Sequence, residues 1–194
     1  MIRDRGSQPL SQERIVETAL EIVDSHGLEG LTMRRLGSEL GVDPMMIYRH
    51  VPNKDGLLHL VLERIRSEMR LPDPPPDDPA RLLEEIFVAY HRALAAHPNM
   101  LPLATRRTDM SATSGLEFLV DLGLSPDDAV ELFQSLTAFT VGFAALGAPA
   151  VAEDWKRFPA PLVERLGDWK EETLRRTLHM MLAGWGVVRR KDKP

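Results

Sequence analysis

The chain has 194 residues, of which 43% are hydrophobic and 27% are charged, and its formal net charge is −5. This length and composition are ordinary for a soluble globular protein with a small head and one companion domain. It contains no cysteine, which excludes a disulfide framework and a thiolate metal site.

The first residues, MIRDRGSQPLSQER, contain no apolar run of the kind found in a signal peptide, so we expect a cytoplasmic protein. Ser11 is placed to cap a first helix that ends near His26, because Gly27 follows. Ile15, Ala19 and the residues one turn further on repeat at helical spacing. The sequence therefore predicts a helix with one buried face.

Residues 31–54, LTMRRLGSELGVDPMMIYRHVPNK, predict two short helices joined by a tight turn. Thr32 can cap the first helix, and Gly41 can end it because glycine adopts a left-handed backbone at little cost. Asp43 can cap the second helix, with Pro44 in its first position. We interpret this stretch as a helix-turn-helix.

Two helices that cross over such a turn need a small residue where their backbones approach, and Gly37 supplies it. In the second helix, roughly residues 44–50, Ile47 faces back toward the first helix. The remaining side chains point mostly outward and would enter a DNA major groove: Met45, Met46, Tyr48, Arg49 and His50.

The run from residue 27 to residue 58 resembles the DNA-binding domain of the tetracycline-repressor (TetR) family of bacterial transcription regulators. The similarity rests on the G-x-x-x-[LT]-[TR] opening, the LGV turn and the Y-x-H-V-x-N-K exit at residues 48–54. The resemblance implies a homodimeric, ligand-responsive repressor that binds operator DNA and needs no cofactor.

The resemblance also assigns DNA-contacting residues: Thr32, Arg34, Arg35, Pro44, Met45, Met46, Tyr48, Arg49, His50 and Lys54. Tyr48, His50 and Lys54 are expected on phosphates. Arg49 can address guanine, whereas the methionine and proline positions offer only apolar contact, for example to a thymine methyl. Specificity is therefore expected to rest largely on Arg49 and on DNA shape.

The charge of the head does not by itself indicate a nucleic-acid partner, because residues 1–60 carry seven basic and nine acidic residues. Only the charges that face phosphates contribute to affinity. Four of the seven basic residues lie in or beside the helix-turn-helix, and Arg3 and Arg5 lie on an N-terminal arm. The acidic net charge is thus compatible with DNA binding.

Asn53 can cap a longer helix that extends to about residue 71. Residues 72–79, PDPPPDDP, then contain five prolines, which exclude a helix and favour an extended spacer. We therefore expect a DNA-binding domain over residues 1–71, a linker over residues 72–79, and a ligand-binding and dimerisation domain over residues 80–194.

The second domain shows helical spacing in every periodic segment, and no strand alternation stands out, so the predicted fold class is all-α. Helices are expected over residues 79–96, over a shorter stretch from Pro98 to Arg107, and over 111–122, 125–147 and 161–188. Trp155 and Phe158 are expected in a loop. Residues 136–152 are uncharged but shorter than the roughly 20 residues of a membrane span, and they predict a buried core or interface helix.

The two helices that flank the Trp155 loop carry more apolar surface than one neighbour would cover. Paired with a second copy, they would form a four-helix interface, which is how TetR-family proteins dimerise. The predicted interface residues are Leu132, Phe133, Leu136, Phe139, Phe143, Leu174, Leu178, Met181 and Trp185. The alternative is that the core of the same chain covers both stripes.

The other helices of the second domain are expected to surround a small-molecule site of aromatic and apolar residues with a few polar groups. The predicted lining is Phe87, Tyr90, His91, Leu94, Met100, Leu101, Leu103, Phe118 and Leu119, although plain core packing is an alternative for each of them. Residues 103–108 are similar to a segment that borders the drug site of the tetracycline repressors. The polar drug-binding and metal-binding residues of that subgroup find no clear counterparts, so the effector stays open.

Two other classes of function were weighed against a regulator. A small all-α enzyme is disfavoured because the chain contains no H-E-x-x-H, no Glu-x-x-His pair and no G-x-S-x-G motif. We therefore predict no catalytic residue and no metal site. A ligand-binding module without an operator is disfavoured by the intact Tyr48, His50 and Lys54. Activation in place of repression stays an open alternative.

Overall fold

The computed structural model describes residues 9–106, 113–148 and 169–187. Within these ranges the regular structure is helical and contains no strand, which confirms the predicted all-α class. The chain divides into two compact units. Unit 1 comprises Met1–Glu68 and His97–Arg106, and unit 2 comprises Met69–Ala96 and Arg107–Pro194.

The described helices differ widely in length. In chain order they are α1 (Gln12–Gly30), α2 (Met33–Leu40), α3 (Pro44–Ile47), α4 (Lys54–Arg66), α5 (Pro79–Ala96), a 3₁₀ helix (Pro98–Met100), α6 (Leu101–Arg106), α7 (Thr113–Asp121), α8 (Pro126–Leu146) and α9 (Glu171–Gly184). The Trp155 loop, with Phe158, and the start of the predicted last helix lie outside the described residues.

The predicted N-caps are confirmed by hydrogen bonds from backbone N–H groups in the first turn of each helix. The hydroxyl oxygens of Ser11 and Thr32 accept from Arg14 N and Arg35 N at 3.2 and 3.1 Å. The side chain of Asn53 accepts from Gly56 N at 2.7 Å. These bonds satisfy donors that a helix terminus otherwise leaves free.

Several helix ends differ from the prediction. In α1 the helical backbone is interrupted at Gly27 (φ 72°, ψ 171°), and one further turn follows. Helix α3 ends at Ile47, because Arg49 and His50 donate to carbonyls three residues back, at Met46 and Ile47. Helix α4 ends at Arg66 and not near residue 71. Such ends depend on tertiary context more than on helical spacing.

Unit 1 is built around α1, which contacts both α2 and α4. The fully buried side chains include Ile15 on α1, Leu36 on α2, Ile47 on α3 and Leu57 on α4, each 0% exposed. Residues 97–106 also belong to this unit, and α1 contacts the 3₁₀ helix. The sequence placed those residues in the second domain, and the predicted domain boundaries stay a prediction.

Unit 2 packs α5, α7, α8 and α9 around an apolar core that includes Phe87, Leu119 and Leu132. By length and composition, α8 is apolar enough to cross a membrane. Its inner face, however, contributes Leu132, Leu136 and Phe143 to the core, as expected for the central helix of a globular unit.

The same core contains five of the nine residues that the sequence assigned to a dimer interface. They are at most 3% exposed and lie in the core of their own chain: Leu132, Leu136, Phe143, Leu174 and Leu178. Phe133, Phe139, Met181 and Trp185 are partly buried against that core. For the five buried residues the structure favours the alternative, a stripe covered by the chain itself, because α5, α8 and α9 pack against one another.

The close approach at Gly37 predicts a specific stability change. A Cβ added there would lie 2.9 Å from the carbonyl oxygen of Val42 and 3.0 Å from Cγ of Pro44. Because backbone must move to admit it, Gly37→Ala is expected to lower the free energy of unfolding by about 1–3 kcal/mol in urea titrations. Ser38→Ala is the control, since it makes a similarly small change at an exposed position of the same helix. Equal stability of the two variants would contradict this account.

Candidate functional site

The turn between α2 and α3 is held by backbone and side-chain hydrogen bonds. Gly41 adopts the left-handed conformation (φ 69°, ψ 31°) that ends α2, and Val42 N donates to Gly37 O at 2.9 Å. Asp43 then caps α3 by accepting from Met45 N at 2.8 Å. Short-range bonds therefore fix where α3 begins.

Helix α3 has one buried side and one side that faces outward. Ile47 is 0% exposed, whereas Met45 is 71% exposed and Tyr48 is 43% exposed. Large apolar side chains are usually hidden in a folded chain, so this surface is unusual for a part with no further role in folding. We call this outward side, with Met45, Met46 and Tyr48, the ridge. Because α3 is short, the ridge continues into the residues that follow the helix.

Helix α1 holds both helices of the motif in place. The guanidinium of Arg14 donates from Nη2 to Leu40 O at 3.3 Å, at the end of α2. The amide of Gln12 donates to His50 O at 3.4 Å, just after α3. The sequence analysis missed both residues, because no local pattern shows which carbonyl a residue 26 or 38 positions away will bind.

The basic residues beside this ridge are available for a partner. Arg34, Arg49 and Lys54 are exposed, and Arg35 is half-buried. None of the four guanidinium or ammonium groups has a hydrogen bond or ion pair within the part of the chain that the structure describes. The nearby carboxylate of Asp43 is directed to the backbone instead. Unpaired cations that frame an apolar ridge are suited to a polyanion such as the DNA backbone.

The ten predicted DNA-contacting residues all lie in unit 1, between Thr32, the N-cap of α2, and Lys54, the first residue of α4. Six of them are exposed besides Met45: Thr32, Arg34, Met46, Tyr48, Arg49 and Lys54. Arg35, Pro44 and His50 are half-buried. Arg3 and Arg5 of the N-terminal arm lie outside the described residues. That these residues contact DNA stays a prediction.

The predicted small-molecule site is divided between the two units. Met100, Leu101 and Leu103 belong to unit 1, where they are at most 5% exposed. The other six belong to unit 2: Phe87, Leu94 and Leu119 are buried, and Tyr90, His91 and Phe118 are half-buried. That the nine residues line one site stays a prediction.

Unit 2 contains a cluster of buried polar atoms that have no hydrogen-bond partner among the described residues. They are His91 Nδ1, Thr140 Oγ1 and Trp169 Nε1. The ring of Phe143 lies between two of these side chains, with centroids 5.4 Å from His91 and 4.9 Å from Trp169. Thr140 precedes Phe143 by one helical turn on α8 and is 0% exposed. We call these four residues the aromatic–polar cluster.

Burial lowers the pKa of His91 in the aromatic–polar cluster. Arg92 lowers it further, and the carboxylate of Glu171 opposes the shift. His91 is therefore neutral at pH 7. A neutral imidazole, a threonine hydroxyl and an indole N–H offer hydrogen bonds without charge.

Within the described ranges, no group of three His, Cys, Asp or Glu side chains is placed to hold a metal ion. The polar groups gathered in unit 2 are hydrogen-bonding groups and ion pairs. Arg175 bonds to Glu85 at 2.6 Å and to Glu171 at 2.9 Å, and the guanidinium of Arg92 also binds Glu171. These bonds join α5 to α9.

Comparison with known protein families identifies the N-terminal part of the chain. The sequence profile described as bacterial regulatory proteins, tetR family, matches residues 15–61. This range contains α2, the turn, α3 and the first half of α4. The outward ridge thus lies inside the matched domain.

Relatives with assigned roles extend the similarity into unit 2. The HTH-type transcriptional repressor DrrR1 of Streptomyces coeruleorubidus is 36% identical over 155 residues, covering 72% of this chain and 55% of that protein. The class E tetracycline repressor protein of Escherichia coli is 32% identical, covering 69% of this chain and 66% of that protein. The matched region thus spans between about half and two thirds of these relatives.

A solved structure matches nearly the whole chain. ActR, a TetR family protein of Streptomyces coelicolor, was crystallised in complex with actinorhodin. It superimposes with a TM-score of 0.70 at 28% identity, covering 94% of this chain and 100% of that one. The similarity therefore includes both units.

Proposed function

The chain belongs to the TetR family of bacterial regulatory proteins, and we propose that it is a transcription regulator, most simply a repressor, that binds operator DNA and leaves it when a small molecule binds unit 2. The observation that carries this proposal is the ridge of α3. Met45 is 71% exposed there, while Ile47 anchors the opposite side at 0% exposure. We propose a cytoplasmic location and no catalytic activity.

On DNA, the ridge would lie in the major groove and the surrounding cations would lie on phosphates. Arg49 is the residue of α3's outward side that can form a bidentate pair with guanine. Met45 and Met46 would contact thymine methyl groups. Lys54, at the start of α4, would hold a phosphate beside the groove. Arg49 would thus read a base, whereas the other cations would position the protein on the phosphates.

Two variants separate these roles once an operator has been selected. Arg49→Ala is expected to reduce the ratio of operator affinity to random-DNA affinity by roughly tenfold to a hundredfold, because a bidentate base contact is lost. Lys54→Ala is expected to weaken both affinities equally and to reduce the salt slope of log K by about 1. Fluorescence anisotropy at several salt concentrations measures both quantities.

The matched control is Arg81→Ala, which removes an exposed cation of unit 2 that has no hydrogen bond or ion pair among the described residues. It should leave the ratio and the salt slope unchanged. A loss of discrimination in the Lys54 variant but not in the Arg49 variant would reverse the proposed roles.

We propose a homodimer, because two heads are needed to read two half-sites about 34–36 Å apart. The surface that we propose for dimerisation is the outer side of α8 and α9, which contact each other. It is not the apolar stripe that is buried in the core of the same chain. Val130 and Met180 are 40% and 58% exposed on the outer side, and Ala138 is also exposed. An added Cβ at Gly142 would meet nothing within 4 Å, so a second helix has room to approach.

The dimer surface is tested by one charged substitution. Ala138→Arg places a long cation in the proposed interface and is expected to convert a dimer into a monomer in sedimentation velocity runs. Ala95→Arg makes the same change at an exposed position of α5 and should leave the dimer intact. Dissociation by both variants, or by neither, would contradict the proposed surface.

We propose that the effector binds at the aromatic–polar cluster. Each buried polar atom without a partner costs about 1–3 kcal/mol, and such groups are normally bonded in native proteins. A ligand with an aromatic surface for Phe143 and oxygen acceptors for Trp169 Nε1 and Thr140 would supply the missing bonds. ActR was crystallised with actinorhodin, and the tetracycline repressor is named for tetracycline. These two ligands support an effector of this amphipathic kind.

The unpaired hydroxyl of Thr140 predicts a change in the thermal stability of the ligand-free protein. Thr140→Val keeps the side-chain shape and removes the unsatisfied group, so the midpoint of thermal unfolding is expected to rise by roughly 2–4 °C for each kcal/mol relieved. Thr137→Val, at a half-buried position of α8, is the control and should leave it unchanged. A lower midpoint for Thr140→Val would show that the hydroxyl is bonded.

The same variant should weaken ligand binding. With 1,8-dihydroxyanthraquinone as the probe, Thr140→Val is expected to reduce affinity about threefold to tenfold in calorimetry, because one hydrogen bond is lost. Thr137→Val again serves as the control. Equal affinity of the wild-type protein and the Thr140 variant would place the effector elsewhere.

A further inference from the structure

The chain passes through unit 1 a second time at residues 97–106. It leaves unit 2 after Ala96, contributes the 3₁₀ helix and α6 to unit 1, and returns to unit 2 at Arg107. This segment is therefore covalently joined to unit 2 at both ends while it packs with the DNA-binding unit. The contacts that hold this segment in place are therefore contacts within unit 1.

His97, the first residue of this segment, is held between two carboxylates of unit 1. Its Nδ1 lies 2.8 and 3.0 Å from the two carboxylate oxygens of Asp24, on α1. Its Nε2 lies 3.0 Å from Oε2 of Glu68, two residues after the end of α4. The side chain is only 12% exposed, so water cannot readily replace either partner.

This geometry requires two protons on the ring. Ionised carboxylates accept hydrogen bonds and cannot donate them, so both ring nitrogens must carry hydrogen to make both bonds. A neutral imidazole carries one N–H and would direct a lone pair at the other carboxylate. We propose that His97 is a proton-controlled latch, which holds residues 97–106 on α1 and the end of α4 when doubly protonated and loosens them when it loses a proton.

The charged groups around the latch favour the cation. Glu17, Glu21 and Asp24 recur at helical spacing along α1, and Glu68 follows α4. Arg64 is the cation on the α4 side, and it already bonds Glu17 at 2.9 Å and the other oxygen of Glu68 at 2.7 Å. Among the described residues, Asp24 forms an ion pair with His97 and with no other cation.

The direction of the pH effect follows from these contacts. Burial alone would lower the pKa of His97, but the hydrogen bonds to Glu68 and Asp24 outweigh it and raise the pKa above its ordinary value. A raised pKa in the folded state means that the stabilisation is complete below about pH 6.5, the ordinary pKa of histidine, and is lost as pH rises through the raised value. The latch therefore weakens as the pH rises through this raised pKa.

Loss of the His97 proton loosens the segment without releasing it, because the other contacts of the segment do not depend on pH. The amide of Asn99 donates to Val23 O at 3.1 Å and to Asp24 O at 2.9 Å, near the kink of α1. Met100 and Leu101 are also buried. Protonation thus changes how often the segment opens locally, which amide hydrogen exchange detects.

The test uses the full chain without DNA, so it is independent of operator binding. Hydrogen exchange of residues 98–106 is compared at pH 6.0 and pH 8.0 after correction for the intrinsic exchange rate. Wild-type protection is expected to be roughly threefold to tenfold greater at pH 6.0, as a partly exposed charge-assisted bond would give. His97→Gln keeps a hydrogen-bonding side chain that does not titrate, and its protection should be nearly equal at the two pH values.

The matched control is His179→Gln in unit 2. His179 Nδ1 also contacts a carboxylate, Glu84 at 2.7 Å, but the His179 side chain is 55% exposed and the pair lies outside unit 1. The His179→Gln variant should retain the wild-type pH dependence of protection at residues 98–106. If His97→Gln fails to fold, Asp24→Asn, which removes one carboxylate, is expected to reduce the same ratio. Equal wild-type protection at both pH values, or an unchanged ratio in the folded variant, overturns the latch.

Discussion

The orientation of the outward side of α3 depends on the close approach of two backbones at Gly37. There the α2 backbone comes so near the turn that a single added carbon would lie 2.9 Å from Val42 O. This approach lets Ile47 reach the core, and a buried Ile47 forces Met45 and Arg49 to the opposite side of α3. Arg14 and Gln12 of α1 then hold the two ends of the motif by bonding backbone carbonyls. The orientation of α3 is thus fixed by packing and by α1 together.

The sequence predicted the features that depend on neighbours three or four residues apart. Caps at Thr32, Asp43 and Asn53 are of this kind, since donor and acceptor share one helical turn. It could not predict contacts between distant segments. His97 reaches Asp24 across 73 positions, and neither residue belongs to a motif. For the same reason, helical spacing identified the apolar stripe of α8 but not which neighbour covers it, and Leu132 and Leu136 proved to be core residues.

Two groups of polar side chains, one in each unit, differ in whether their hydrogen bonds are made. In unit 1, Asp24, Glu68 and His97 satisfy one another, and Arg64 completes the chain of charges. In unit 2, the aromatic–polar cluster leaves a hydroxyl, an indole and an imidazole without partners. A satisfied network stabilises one arrangement, whereas unsatisfied groups raise the free energy of the empty state and favour a ligand that pairs with them. A protein that responds to a small molecule benefits from this difference.

The most direct measurement of the central claim is selection of DNA fragments from a random library by the purified protein, followed by sequencing. The account predicts an inverted repeat whose half-sites are centred about one helical turn, or a multiple of it, apart, because two copies of α3 would enter successive major grooves. It also predicts a guanine within each half-site for Arg49. Failure to enrich any sequence at low salt would contradict the account and would leave unit 1 without DNA as its partner.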